Sequence, residues 1–236
     1  MNKRIKHIKL LAFALFACLG LCTLARLSGV PVSAKTGDSF TLIIDAGHGG
    51  LDGGAVSESG IKESDVNLAI ATKLRDIALL CGVNWVMTRV DENSVHSSEA
   101  ETIREQKVSD MRNRVALIEN TPNAMLVSIH QNSYPGASRG AQVFYRDGDE
   151  KSRKLAVIMQ AALQSVSSLE KSRSAMPVSD GIYLFKNTHC TAVLAECGFL
   201  SDEEDVKLLQ SEEYKICTAL GIMSAVLSTN DFEDIQ

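Results

Sequence analysis

The sequence is poor in aromatic residues: Phe, Trp and Tyr make up 5% of 236 residues, with a single Trp. That is too few for the stacking platforms that bind single-stranded nucleic acid. Cations are scarce as well. Five of the 24 Lys and Arg precede residue 35, where no acid occurs, which leaves 19 against 29 Asp and Glu, a net charge of −10, in the rest of the chain. So acidic a body lacks the basic field that phosphates require, which excludes DNA and RNA as partners. Paired-cysteine motifs are missing. Cys18 and Cys22 lie in the N-terminal stretch, and Cys81, Cys190, Cys197 and Cys217 are too few and too scattered for a disulfide scaffold. Cys190 and Cys197 bracket a strand-like run that holds them about 20 Å apart, beyond disulfide reach. The chain has no G-x-x-x-x-G-K-[ST], no G-x-G-x-x-G and no H-E-x-x-H. Phosphate loops, dinucleotide folds and the common zinc peptidases are therefore disfavoured. There is neither an internal repeat nor a Pro- or Gly-rich linker to mark a second domain.

What is present fits an ordinary globular domain: 45% hydrophobic and 22% charged residues, enough to bury one sizeable core. The chain opens differently. Lys3, Arg4, Lys6 and Lys9 precede an uncharged run from Leu10 to Ala25, and Val32-Ser33-Ala34 offers a small-residue cleavage site. Residues 1–34 thus read as an export signal or an uncleaved membrane anchor, leaving residues 35–236 as a working domain outside the cytoplasm.

Five short β-rich runs follow: 40–45, 83–88, 125–130, 141–145 and 191–196. Between them, Val66, Ile70, Leu74, Ile77 and Cys81 repeat at helical spacing, with Ser64 as the expected N-cap and Gly82 as the stop. Leu155, Ile158, Met159, Ala162, Leu163 and Val166 form a second stripe, and further helices are expected at about 109–119 and 211–228. Alternating strands and helices predict one α/β domain with three layers, a mostly parallel sheet flanked by helices on both faces. The polar stretches 89–107 and 170–180 are the longest loop candidates.

Asp45-Ala46-Gly47-His48-Gly49-Gly50 follows the first strand, with Asp52-Gly53-Gly54-Ala55 close behind. Glycines at this density let the backbone turn sharply around one imidazole, His48. Glu63 opens the first helix, and His130 and Glu196 end strand-like runs. Ligands of open parallel sheets bind outside the carboxyl ends of the strands. Taken singly, each residue has a structural reading: a satisfied core histidine, or a carboxylate facing a helix dipole. Together, two imidazoles and one carboxylate with a fourth position open are the donor set of a catalytic zinc site. Glu196 closes the apolar run Ala192–Ala195, where a charge is costly unless paired or functional. By contrast His96 reads as solvated, and His189 with Cys190 lacks metal-site spacing.

Four motifs occur in a common order: Gly47-His48-Gly49-Gly50 with Asp52-Gly53-Gly54-Ala55; Lys62-Glu63; Ser128-Ile129-His130-Gln131-Asn132; and Glu196-Cys197-Gly198-Phe199-Leu200-Ser201. In this the sequence resembles the zinc-dependent N-acetylmuramoyl-L-alanine amidases, which cleave peptidoglycan. The resemblance covers nearly all of residues 40–228. It implies one Zn²⁺ held by His48, Glu63 and His130, with Glu196 as the catalytic carboxylate. Ala46 stands where the family commonly has Pro, and Asp202 where Asn often follows the Ser; neither change removes a catalytic atom. Arg89 and Arg114 resemble recurring family positions, read here as structural ion pairs. The leader, the lack of an appended wall-binding repeat and Asp180-Gly181-Ile182-Tyr183-Leu184 resemble the subgroup that trims spore cortex, where muramic-δ-lactam forms. An accessory activator protein is left open as a partner. The competing functions are an inactive peptidoglycan-binding module and a zinc peptidase acting within the stem peptide.

Overall fold

The computed structural model describes residues 40–136, 138–167, 173–179 and 181–230. The export signal or anchor read in residues 1–34 lies outside the described residues, as does part of the loop read at 170–180. Six strands, β1 (Thr41–Ala46), β2 (Asn84–Met87), β3 (Ala124–Asn132), β4 (Gln142–Tyr145), β5 (Met176–Pro177) and β6 (Thr191–Phe199), form one sheet in the order β2-β1-β3-β6-β4-β5. The neighbours β1/β2, β1/β3 and β3/β6 are parallel; β4 runs antiparallel to β6 and carries β5 alongside it. The mostly parallel sheet read from the sequence is therefore present, with the two-residue β5 as an addition too short to leave a pattern.

Period-2 alternation divides each central strand between two apolar layers, which is why the strands read as continuous hydrophobic runs. Leu42, Ile44, Val127, Ile129, Val193 and Ala195 pack under α1 (Glu63–Cys81), α3 (Glu150–Ser167) and the C-terminal pair α5 (Glu203–Gln210) and α6 (Glu212–Asn230). Ile43, Leu126, Ala192 and Leu194 face α2 (Ile103–Glu119) and the single turn α4 (Tyr183–Lys186), through Ile118, Leu184 and Phe185. Each Leu or Ile buried completely in these layers contributes about 1.5–3 kcal/mol.

Several boundaries differ from the sequence reading, each for a local reason. The first helix starts at Glu63, not after a Ser64 cap: the N-cap is Lys62 without a side-chain bond, and the amides of Glu63 and Ser64 donate to the carbonyls of Ala55 and Gly53 at 2.9 and 3.1 Å. The preceding loop thereby does the capping. Gly82 does end the helix, at φ 70°. The second helix begins at Ile103 within the stretch read as loop, because Thr102 and Glu105 close a reciprocal capping box. The last helix, Glu212–Asn230, lies where one was expected at 211–228, and a short helix not read from the sequence, Glu203–Gln210, precedes it across the extended Ser211. Finally, β3 and β6 continue past His130 and Glu196 to Asn132 and Phe199, with a register shift between His130 and Asn132, so these side chains stand within the strands.

Candidate metal centre

On the face of the β3/β6 ladder that carries Leu126 and Ala192, the next paired positions are Ser128 with Leu194 and then His130 with Glu196. Parallel partners project from the same side, so apolar core gives way at the carboxyl end of the sheet to an imidazole beside a carboxylate. His48 arrives from the loop after β1, where the Gly47 amide still donates to the Ile129 carbonyl of β3 at 3.1 Å. His48 itself has φ 62°, a left-handed conformation that costs a residue with a Cβ roughly 1–2 kcal/mol. Reciprocal backbone bonds between Gly49 and Asp52, at 2.9 and 3.1 Å, hold the turn that imposes it. Glu63 projects from the first turn of α1.

These three side chains meet. One donor atom from each of His48, Glu63 and His130 falls within 4.8 Å of the other two. Glu63 Oε1 lies 2.8 Å from His130 Nδ1, Glu63 Oε2 lies 3.2 Å from His48 Nε2, and the rings meet edge to face with centroids 5.0 Å apart. Burial opposes ionisation of Glu63, but bonds from both imidazoles and their charge hold its carboxyl well below the usual range. Burial likewise opposes charge on His48, yet Glu63 and Asp52 together raise its pKa. A carboxylate held ionised beside two imidazoles is a fitting donor set for a divalent cation of borderline softness, and three protein donors leave room for a water or substrate oxygen. Glu196 differs: it is half-buried, its Oε2 has no hydrogen-bond partner in the protein, and burial with the nearby Glu63 charge outweighs the two imidazoles to raise its pKa to about 7.

Two glycines leave the space the cluster uses. A Cβ on Gly47 would stand 2.3 Å from the His130 ring; at Gly54, where φ is +67°, it would stand 2.5 Å from Glu63 Oε2. Gly47→Ala is therefore expected to displace His130 and weaken metal uptake at least tenfold, on the order of 10–100-fold, as for other losses of ligand support. Isothermal titration with zinc checks this, and unchanged affinity would contradict the packing.

The sequence reading did not identify the polar partners around the cluster. Asp52 accepts from His48 Nδ1 at 3.1 Å and is itself held by Lys107 of α2 at 2.9 Å. Asn67 and Gln131, buried side by side, reach Glu63 through the Asn67 side-chain amide at 3.4 Å and the Gln131 backbone amide at 3.2 Å. Asp52 lies only four residues beyond His48, but that spacing is informative in a helix and not in a loop. Arg114 forms the expected ion pairs, with Asp45 at 2.6 Å and Asp110 at 2.8 Å. Arg89 does not: its guanidinium bonds main-chain carbonyls. His96, read as solvated, is half-buried and bonded to Ser94 Oγ at 2.6 Å. His189 pairs with Glu119 at 2.8 Å, away from the cluster.

Residues 42–228 match the model of the N-acetylmuramoyl-L-alanine amidase family. The chain is 32% identical over 199 residues to the germination-specific N-acetylmuramoyl-L-alanine amidase of Bacillus subtilis, covering 84% of this chain and 81% of that protein. Among solved structures it is similar to the CwlD amidase of Clostridioides difficile in complex with the GerS lipoprotein, with a TM-score of 0.78 and 36% identity over 82% of this chain and all of that one. An N-acetylmuramoyl-L-alanine amidase from Clostridium difficile 630 aligns with a TM-score of 0.70 and 28% identity, over 83% of this chain and 98% of that one.

Proposed function

This chain belongs to the N-acetylmuramoyl-L-alanine amidase family, an enzyme family acting on peptidoglycan, and on that premise we propose an exported zinc hydrolase with His48, Glu63 and His130 as the ligands of one Zn²⁺ and Glu196 as its catalytic carboxylate. The observation that carries the assignment is the meeting of three donor atoms within 4.8 Å, next to a carboxylate paired with His130 across the β3/β6 ladder. Zinc held there would supply a Lewis acid that polarises a carbonyl oxygen and lowers the pKa of water from about 15.7 to about 7.

The chain's own residues do the rest. Glu196, with Oε2 unengaged, takes a proton from the attacking water as its oxygen bonds the lactyl carbonyl carbon. The carboxyl then gives that proton to the amide nitrogen as the C–N bond breaks. The products are a lactyl carboxylate on muramic acid and a peptide with a free L-Ala amine. Asp52, bonded to His48 Nδ1, fixes the imidazole's orientation and leaves Nε2 for the ligand side.

Two finer assignments belong to the same proposal. The likeness to the germination-specific amidase of Bacillus subtilis supports a role in spore-cortex maturation, the source of the muramic-δ-lactam precursor. The likeness to an amidase solved with a lipoprotein supports an accessory protein as partner. Residues 1–34 provide export or anchoring, and residues 35–236 the catalytic domain. No helix among the described residues is long and apolar enough to cross a membrane.

Purified protein incubated with vegetative and cortex sacculi, with zinc and with chelator, tests the reading. New L-Ala amino termini that depend on zinc are expected by mass spectrometry. Cuts within the stem peptide would instead mark a zinc peptidase, and binding without cuts an inactive module.

A further inference from the structure

Arg89 is 3% exposed, and its guanidinium makes four hydrogen bonds, all to backbone carbonyls. Nε donates to Ala46 at 2.9 Å, Nη2 to Gly47 at 3.1 Å and to Ser64 at 2.7 Å, and Nη1 to Asp91 at 2.8 Å. Ala46 and Gly47 immediately precede His48, and Ser64 immediately follows Glu63. One rigid fork thus ties the strand-end loop that carries the first histidine to the helix turn that carries the glutamate. A fully buried Asn67 crosses the same gap. Its Nδ2 donates to the Gly47 carbonyl at 3.1 Å and lies 3.4 Å from Glu63 Oε1, while its Oδ1 accepts from Gln131 Nε2, next to His130, at 3.1 Å.

We propose that Arg89 and Asn67 are positioning residues which, by sharing the Gly47 carbonyl, set the separation of His48, Glu63 and His130 before a metal ion binds. The inference rests on the ligand assignment proposed above. The physical need is specific. His48 sits at φ 62°, and a strained residue keeps its conformation only where its surroundings over-determine it. Arg114 also donates to the Ala46 carbonyl, at 2.8 Å, but the Gly47 carbonyl is held by Arg89 and Asn67, and without them the loop is free to relax toward φ below zero and carry the imidazole away from Glu63. Lysine cannot replace the fork, because its donors radiate from one atom and do not reach all four carbonyls that the planar guanidinium spans.

Zinc affinity is measured on the full chain by competition with a chromophoric chelator, for wild type, Arg89→Lys, Asn67→Ala and Leu163→Ala. Thermal unfolding of each metal-stripped protein is recorded in parallel. Leu163, on the buried face of α3, packs in the core and serves as the control for general loosening. Arg89→Lys and Asn67→Ala are expected to weaken zinc binding by about 10–100-fold, while Leu163→Ala lowers the metal-free Tm and keeps wild-type affinity. If only one of the two positioning variants folds, that one decides.

Wild-type zinc affinity in a folded Arg89→Lys or Asn67→Ala overturns the inference. So does an affinity loss that tracks the metal-free Tm across all three variants, and so does failure of both positioning variants to fold, since the bonds would then hold the domain and not the cluster. Wild-type protein that takes up no zinc overturns instead the ligand assignment from which the inference starts.

Discussion

Glu196→Gln is expected to lower hydrolysis of the lactyl amide by about 10²–10⁴-fold while zinc remains bound at the wild-type stoichiometry. The amide is isosteric and fits between Ala195 and Cys197, both fully buried, so β6 should stay intact. What it cannot do is accept a proton from water or return one to the leaving nitrogen. The two readouts separate the roles proposed for the site: turnover on sacculi for Glu196, and metal content by mass spectrometry for His48, Glu63 and His130. Near wild-type turnover would remove Glu196 from the chemistry; loss of zinc together with turnover would place it among the ligands.

The second large effect is on stability. Arg114 has no exposed surface and joins Asp45 and Asp110 to the carbonyls of Ala46 and His48. Arg114→Met keeps much of the volume but strands two buried carboxylates, a loss of about 3–5 kcal/mol. Against a domain stability of about 5–15 kcal/mol this is roughly a fifth at least. The pH dependence tests the electrostatic origin. In the wild type, burial tends to raise the pKa of Asp45, but Arg114 and the hydroxyls of Ser128 and Thr88 bring it below the ordinary value. Its contribution is therefore present above the unfolded pKa, about 3.9, and disappears as pH falls through the lower folded value. With Arg114 gone the largest influence that lowers this pKa is lost, so the folded value of Asp45 moves up and acidification costs the variant less stability than the wild type. The stability gap between wild type and Arg114→Met should narrow on acidification from neutrality in chemical denaturation; a gap that stays constant would mean that packing, not charge, sets the loss.

Much of the architecture was legible because apolar periodicity reports burial directly. The runs around Ile43, Leu126 and Val193 are buried on both faces, and only an α/β sheet asks that of a strand. Boundaries were less legible. The capping box of Thr102 and Glu105 has a sequence signature and was still absorbed into a polar stretch, whereas capping of α1 by the carbonyls of Gly53 and Ala55 leaves no signature, since every residue has a carbonyl.

From composition, motif order and alternation, the chain alone determined its α/β class and its choice of His48, Glu63, His130 and Glu196 as the side chains to watch. Those properties depend on residue type and local spacing, which are one-dimensional. Only the folded chain decided that the first three meet within 4.8 Å, that Glu196 stands beside His130 on one face, and that Arg89 grips main-chain carbonyls where an ion pair was expected. Each of those outcomes turns on contacts between segments tens of residues apart, and on backbone groups that are chemically the same at nearly every position.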